Sequence, residues 1–280
     1  MRRKVFASKV FDRKVVLITG GCAGIGRALA ERMAQAGARL VIFDLEQNAL
    51  DGLVQHLADR HNAEALGLCC DVSDAAAVQQ AIALVVERFG GIDVLVNNVG
   101  ITHRSRVVDT SLKVFERIMA VNFYGALHCT QAALPSLTAR GGQVIVLSSL
   151  SQYAPVPDRA AYNASKHALH GLFETLRGEL DGTGVNVMLV CPGYTATDLR
   201  KNVLIGDGST APQPALAVGR VASPQDVAES IFQGALKRRQ LLVLSNLDWR
   251  ARLVARCFPR LFEHLLLPRL AGSRMSQDAS

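Results

Sequence analysis

Lys14-Val15-Val16-Leu17-Ile18-Thr19-Gly20-Gly21-Cys22-Ala23-Gly24-Ile25-Gly26 is the stretch from which the architecture of this chain is read. A short apolar run bounded by turn residues reads as a buried strand. Glycines follow it, and residues 27–35 then have helical composition. Strand, glycine turn and helix form the context in which a glycine motif has chemical meaning. Glycines let the backbone turn tightly and approach a pyrophosphate, and the helix N-terminus favours its charge. The spacing is Thr-Gly-x-x-x-Gly-Ile-Gly rather than GxGxxG. On its own, a structural turn explains it about as well.

Strands and helices then alternate. Residues 39–43 read as a second strand ending at Asp44, 46–61 as a helix, and 65–70 as a strand ending at Asp71-Val72. Ser73 or Asp74 can cap a helix over 75–89. Ile92-Asp93-Val94-Leu95-Val96 leads to Asn97-Asn98-Val99-Gly100. A long helix is expected over 110–134 with Asn122 inside it, then a strand over 143–147 ending at Ser148-Ser149. After the helix carrying Tyr162 come a strand over 185–191, a helix over 224–237 and a last strand over 240–244. This alternation predicts an α/β fold, a doubly wound Rossmann-type parallel sheet of about seven strands with helices on both faces. Ligands of such sheets bind beyond the carboxyl ends of the strands. The glycine loop, Asp44, Asp71 and the Asn pair all fall at those ends. One domain over 1–245 is expected, with a substrate loop at about 194–222 and a basic amphipathic helical tail over 246–280.

Asp44 lies about twenty positions beyond the glycine loop, where a carboxylate can bond the hydroxyls of an adenosine ribose. It would repel a 2′-phosphate, and no Arg or Lys replaces Ala23 or follows Asp44 directly. This favours NAD, with NADP the lesser candidate. Tyr162 and Lys166 stand four apart in Ala161-Tyr162-Asn163-Ala164-Ser165-Lys166, so on a helix they share a face. A phenol titrates near 10, and a nearby ammonium favours phenolate. Such a pair can pass a proton to and from a carbonyl or alcohol near neutral pH. Alone, YxxxK is also an ordinary surface pair.

Several classes are set aside. Nothing approaches the run of about 18–20 apolar residues that spans a membrane. The basic start lacks the apolar core of a secretory signal, so a cytoplasmic location is expected. The six cysteines show neither metal spacing nor a disulfide framework, so no metal site is expected. Much of the net charge of +7 sits near the C-terminus, where basic residues interleave with leucines. No nucleic-acid module accompanies it, and no nucleic-acid partner is expected.

Thr19-Gly20-x-x-x-Gly24-Ile25-Gly26, Asn97-Asn98-Val99-Gly100, Ser149, Tyr162-x-x-x-Lys166 and Pro192-Gly193 occur in this order. Over residues 12–245 the chain resembles the short-chain dehydrogenase/reductase family. The resemblance implies Tyr162 as general acid/base, with Lys166 lowering its pKa and holding the nicotinamide ribose. It implies Ser149 as the group orienting the substrate oxygen and Asn122 as holder of a proton-relay water. Gly20, Gly24, Ile25, Gly26 and Asp44 would bind the dinucleotide. Asp71 and Val72 would contact the adenine, and Asn98 would line the cofactor groove. Thr195 and Thr197 would meet the nicotinamide and pyrophosphate. Val99, where the family usually has Ala, and Cys22, where a small residue is usual, are departures. The implied activity is hydride transfer between a nicotinamide cofactor and a secondary alcohol or ketone.

In the tail, Trp249, Leu253, Phe258, Leu261 and Leu265 recur at helical spacing, with Arg252, Arg256 and Arg260 on another face. Such a stripe either packs on protein or lies in a membrane interface, as a peripheral contact through residues 246–270. Residues 202–209, Gly219-Arg220, Ser223-Pro224 and Phe258-Pro259-Arg260-Leu261 resemble a membrane-associated subgroup of the family. That subgroup includes reductases proposed to act on acyl- or alkyl-dihydroxyacetone phosphate. A bulky hydrophobic or lipid-like alcohol or ketone is the expected small-molecule substrate. The alternatives are an NADPH-dependent reductase of a lipid ketone and a catalytically silent nucleotide-sensing protein. Relatives imply a homodimer or homotetramer built on the 110–134 helix and the Tyr162 helix.

Overall fold

The computed structural model describes residues 10–153, 156–197, 203–211 and 221–244. Its elements in chain order are β1 (Val15–Thr19), α1 (Gly24–Ala34), β2 (Arg39–Asp44), α2 (Gln47–His61), β3 (Ala65–Cys69), α3 (Ala75–Phe89) and β4 (Val94–Asn97). Next come β5 (Thr102–His103), α4 (Leu112–Met119), a π-helical turn (Ala120–Tyr124), α5 (Gly125–Arg140) and β6 (Gln143–Leu147). The remainder are α6 (Ala160–Glu179), β7 (Asn186–Pro192), β8 (Val203–Leu204), α7 (Pro224–Leu236) and β9 (Leu241–Leu244).

Seven strands form one parallel sheet in the order β3-β2-β1-β4-β6-β7-β9. Alternation along each strand divides the core. Val16, Ile18, Leu40, Ile42, Val96, Ile145 and Met188 face α1, α2 and α7. Val15, Leu17, Val41, Phe43, Leu95, Val144 and Leu189 face α3, α5 and α6. Both faces are covered, so the strands read as unbroken apolar runs rather than alternating ones. The chain winds outward from β1 in one direction through β2 and β3, and in the other through β4, β6, β7 and β9. The crevice between β1 and β4 is therefore the switch point, where ligands of such sheets bind.

Asp74, not Ser73, caps α3, its Oδ1 accepting from Ala76 N at 2.9 Å and Ala77 N at 3.1 Å. Asp74→Ala is expected to cost about 1 kcal/mol of stability, read as a lowered denaturation midpoint with unchanged slope. Ser223 caps α7 with Pro224 in its first turn, as expected.

Two readings from sequence change. The helix expected over 110–134 is divided by the π-helical turn and runs through Pro135 to Arg140. Proline removes one helical bond, but Ala133 and Leu137 are wholly buried on either side of it and hold the last turns in place. Part of the expected loop is ordered: Val203 and Leu204 pair in parallel with Thr102 and His103. Two-residue strands are too short to show a period. The tail expected over 246–280, and residues 198–202 and 212–220 of the loop, lie outside the described residues. Among the described residues, no helix is long and apolar enough to cross a membrane.

Candidate active site

The glycine loop leaves β1 at Gly20, whose φ is +65° and whose N–H donates to Phe43 O at 2.7 Å. A Cβ at Gly26 would collide with the Gly20 carbonyl oxygen, so α1 starts as close to the strand as backbone allows. Gly24, at φ +53°, packs against the methyl of Thr197. Ile25 is half-buried against the core on the α1 side. Asp44 at the end of β2 reaches this loop: its Oδ2 accepts from Cys22 N at 2.9 Å and its Oδ1 from Leu45 N at 2.9 Å. Burial, with Asp44 beside it, pushes the Cys22 thiol up to about 12, so it stays neutral.

Asn98 clamps the switch point. Its side-chain amide donates to Thr19 O at 2.9 Å and Gly20 O at 3.0 Å, and its backbone N–H donates to the Thr19 hydroxyl. The ends of β1 and β4 are thereby fixed to each other. Asp71 is exposed and accepts from both Ser73 N and Ser73 Oγ. Val72 is buried and lies against Gly125, where a Cβ would come within 2.6 Å of its methyl. Thr195 is buried, its hydroxyl donating to Gly193 O, and Thr197 N donates to Thr195 O.

The candidate catalytic residues converge from the π-helical turn, the end of β6 and α6. Asn122 lies in the π-helical turn, is 1% exposed, and pairs with the backbone of Ile101: its Oδ1 accepts from Ile101 N at 2.8 Å. Its Nδ2 donates to Ile101 O at 3.0 Å and to Ser165 Oγ at 2.9 Å. The widened turn explains how an asparagine is accommodated within a helix, and such turns cluster at functional positions. A Cβ at Gly100 would stand 3.4 Å from Lys166 Nζ and 3.5 Å from Asn122 Oδ1, so glycine there keeps these two groups facing one space. Ser149 follows β6 in extended conformation, and its hydroxyl stands near enough to the Tyr162 phenol to work against the effect of burial on it.

Tyr162 and Lys166 are both buried on α6. Their electrostatics differ from the expectation. Burial dominates and pushes the Tyr162 phenol up; the Ser149 hydroxyl and the positive charge of Arg159 oppose this. Lys166, depressed to about 8 by burial, donates from Nζ to Leu147 O at 2.7 Å and lies 5.7 Å from the Tyr162 ring centre. The i, i+4 spacing brings the two side chains to one face, as expected. The spacing carried no information about how deeply that face is buried.

Several participants went unread. Ser165 links Asn122 to α6 through its bond to Tyr162 O. Ile101 supplies the peptide group that Asn122 grips. His170 is buried and contacts Ser148 Oγ at 3.0 Å and Glu174 Oε1 at 3.3 Å, steadying the residue before Ser149. The one available signal was helical spacing: Ser165 and His170 lie three and eight residues beyond Tyr162.

Residues 14–206 match the family model for short chain dehydrogenase. Dehydrogenase/reductase SDR family member 7B of Danio rerio is 34% identical over 240 residues, covering 84% of this chain and 78% of the relative. That of Rattus norvegicus is 32% identical over 282 residues, covering 97% and 86%. A short-chain dehydrogenase/reductase of Burkholderia phymatum, solved in complex with NAD, superposes with a TM-score of 0.79 at 27% identity, covering 90% of this chain and 95% of the other. An alcohol dehydrogenase of Thermococcus sibiricus, complexed with 5-hydroxy-NADP, gives 0.71 at 26% identity, covering 82% and 95%. With this extent of match, and with the seven-stranded parallel sheet expected from sequence present in the structure, the chain belongs to the short-chain dehydrogenase/reductase family of oxidoreductases.

Proposed function

We propose that this oxidoreductase transfers a hydride between NAD(H) and a secondary alcohol or ketone on a bulky hydrophobic molecule, with Tyr162 as general acid/base. The observation that carries the reading is the connected set Asn122–Ser165–Tyr162, with Ser149 near the Tyr162 phenol and Lys166 facing Asn122 across Gly100, at the carboxyl ends of β4 and β6. The dinucleotide fits the residues present: Gly20, Gly24, Ile25 and Gly26 form a cradle without side-chain obstruction, and α1 opens directly behind it. Asp44, Asp71, Val72 and Asn98 would hold its adenosine half, and Thr195, Thr197, Tyr162 and Lys166 its nicotinamide half. Bound nicotinamide supplies the hydride donor or acceptor.

The chain's own groups do the rest. In the reducing direction Tyr162 Oη donates its proton to the substrate oxygen, while the Ser149 hydroxyl orients that oxygen. A phenol that burial keeps protonated is suited to this donation. Lys166, close to its own titration midpoint near neutral pH, returns a proton toward Tyr162. Asn122 holds the widened turn against Ile101, and its side-chain oxygen and the Lys166 ammonium border one space at Gly100, where the return path would run.

Cofactor choice rests on Asp44. NADH is expected to bind more tightly than NADPH, and Asp44→Ala to erode that preference about tenfold or more, through loss of ribose bonds to a carboxylate and of its repulsion of phosphate. Asp44 also anchors Cys22 N, so loosening the loop alone would weaken both dinucleotides equally; only a change in their ratio reports the charge. Fluorescence titration of both cofactors against both proteins decides this. A wild-type preference for NADPH would overturn the NAD assignment and favour a lipid-ketone reductase. The oligomer would be built on α4–α5 and α6, and residues 246–270 would make any membrane contact. Release from anionic vesicles on deletion of residues after Leu244 is the observation that would support the latter.

A further inference from the structure

One buried imidazole near the site takes no part in the proton transfer described above. His170 lies on α6, four residues beyond Lys166 and so on the same helix face. Its Nε2 stands 3.0 Å from Ser148 Oγ and 3.6 Å from Cys191 Sγ on β7, and its Nδ1 stands 3.3 Å from Glu174 Oε1. The Tyr153 ring meets the imidazole with centres 6.3 Å apart and planes at 78°, the T-shaped arrangement that aromatic pairs favour. Ser148 and Tyr153 lie on either side of Ser149 in the chain. One imidazole therefore holds the segment that carries Ser149 at both ends.

The hydrogen-bond roles follow from the partners. Burial holds the imidazole below its ordinary titration range, so it is neutral at pH 7; Glu174 opposes this shift, and the charges of His167 and Arg177 on the same helix add to it. A carboxylate only accepts, so Nδ1 carries the proton and points it at the exposed Glu174. Nε2 is then the acceptor, and the Ser148 hydroxyl donates to it. Ser148 Oγ also lies 3.5 Å from Lys166 O, beyond the usual O–H···O range. A hydroxyl has one proton to give. With that proton given to His170, Ser148 offers none to the substrate, and Ser149 is left as the serine that can. Lys166 Nζ donates to Leu147 O at 2.7 Å. The end of β6 is thus tied to α6 at two successive residues, Leu147 by Lys166 and Ser148 by His170.

We propose that His170 is a positioning residue for hydride transfer: through Ser148 and Tyr153 it fixes Ser149 relative to Tyr162, and Glu174 fixes its tautomer. The inference rests on the reading of Ser149 and Tyr162 as the groups that meet the substrate oxygen, and it adds the group that sets their separation. Ser149 follows β6 and Tyr162 stands on α6, so their relative placement depends on the links between these two elements. A misplacement of about 1 Å between reacting groups can cost about a hundredfold in rate. His170 itself touches neither substrate nor cofactor on this reading; it acts through Ser149.

The test measures initial rates of NADH oxidation by the full chain with phenanthrenequinone, an activated and bulky apolar diketone. His170→Leu is expected to lower kcat about tenfold or more while changing NADH affinity less than about threefold. His170→Gln keeps an acceptor for the Ser148 hydroxyl and should restore most of the rate. The deciding readout is a double-mutant cycle with Ser149→Ala: once Ser149 is gone, His170→Leu should change the rate less than about twofold. Full additivity of the two losses overturns the proposal. So does a kcat for His170→Leu within about twofold of the parent, or an equal loss in His170→Leu and His170→Gln with NADH binding intact. If His170→Leu fails to bind NADH, the fold is damaged, and Ser148→Ala, which removes the same bond from its other end, carries the cycle with the same outcomes. A parent that reduces no quinone, or that is matched in rate by Tyr162→Phe, overturns the reading of Tyr162 instead. Hydrogen exchange then judges the positioning alone: faster exchange over residues 148–152 in His170→Leu than in His170→Gln sustains it, and equal exchange refutes it.

Discussion

Tyr162→Phe is expected to lower turnover by about a thousandfold while changing NADH affinity less than about threefold, the loss expected when a general acid is removed from a positioned site. The substitution deletes one oxygen. That oxygen sits in a buried place near the Ser149 hydroxyl, and Tyr162 is the one phenol among the catalytic candidates. The ring remains, packed on α6 with Lys166 Nζ beside it. On the proposed reading, dinucleotide binding rests mainly on the glycine loop and Asp44 at the far side of the switch point, which the substitution does not touch. Stability should change little or rise, because the deleted phenol is a buried polar group. Steady-state reduction of a medium-chain ketone, paired with an NADH titration, checks both halves. Retention of activity within a few-fold would remove Tyr162 from the reaction. Loss of NADH binding would instead make it a cofactor residue alone.

Much of this arrangement was legible because buried parallel strands write themselves as apolar runs. Val15-Val16-Leu17-Ile18 and Val144-Ile145-Val146-Leu147 could be placed without structural help, and the polar residues at their ends mark the site. Glycines at Gly20, Gly24 and Gly26 were legible for the same kind of reason: only glycine tolerates the backbone approach that the cradle needs. Interactions decided by tertiary distance were not legible. Asn122 was read inside one continuous helix, and only its pairing with the peptide of Ile101 shows why the helix widens there. The direction of the Tyr162 shift was misread because a spacing rule gives proximity, not burial. Proximity to an ammonium argues for a lowered phenol, whereas burial dominates and raises it.

The same burial makes Lys166 a liability to folding, and Lys166→Met is expected to be inactive yet more stable than the parent at pH 7. Burial lowers the ammonium from 10.5 to about 8, a shift worth about 3 kcal/mol against the charged folded state. Its hydrogen bond to Leu147 O at 2.7 Å offsets only part of that. Methionine keeps the unbranched stem and sheds the charge, so a gain of about 1–3 kcal/mol is expected. The sign can be followed with pH. Between about 8 and 10.5 the unfolded chain binds more protons at this lysine than the folded chain does, so parent stability from this group rises with pH across that window. Below about 8 both states carry the proton and the full penalty stands. The advantage of Lys166→Met should therefore be largest at pH 7 and shrink steadily toward pH 10. Urea denaturation of both proteins at pH 7, 8.5 and 10 measures the difference directly, and other titrating groups cancel between them. A variant less stable than the parent at pH 7 would mean that the hydrogen bond and local packing outweigh desolvation. A gap independent of pH would mean that Lys166 does not titrate in this range. The expected outcome, stability gained where activity is lost, would mark Lys166 as a residue held against its folding cost for the chemistry at Tyr162.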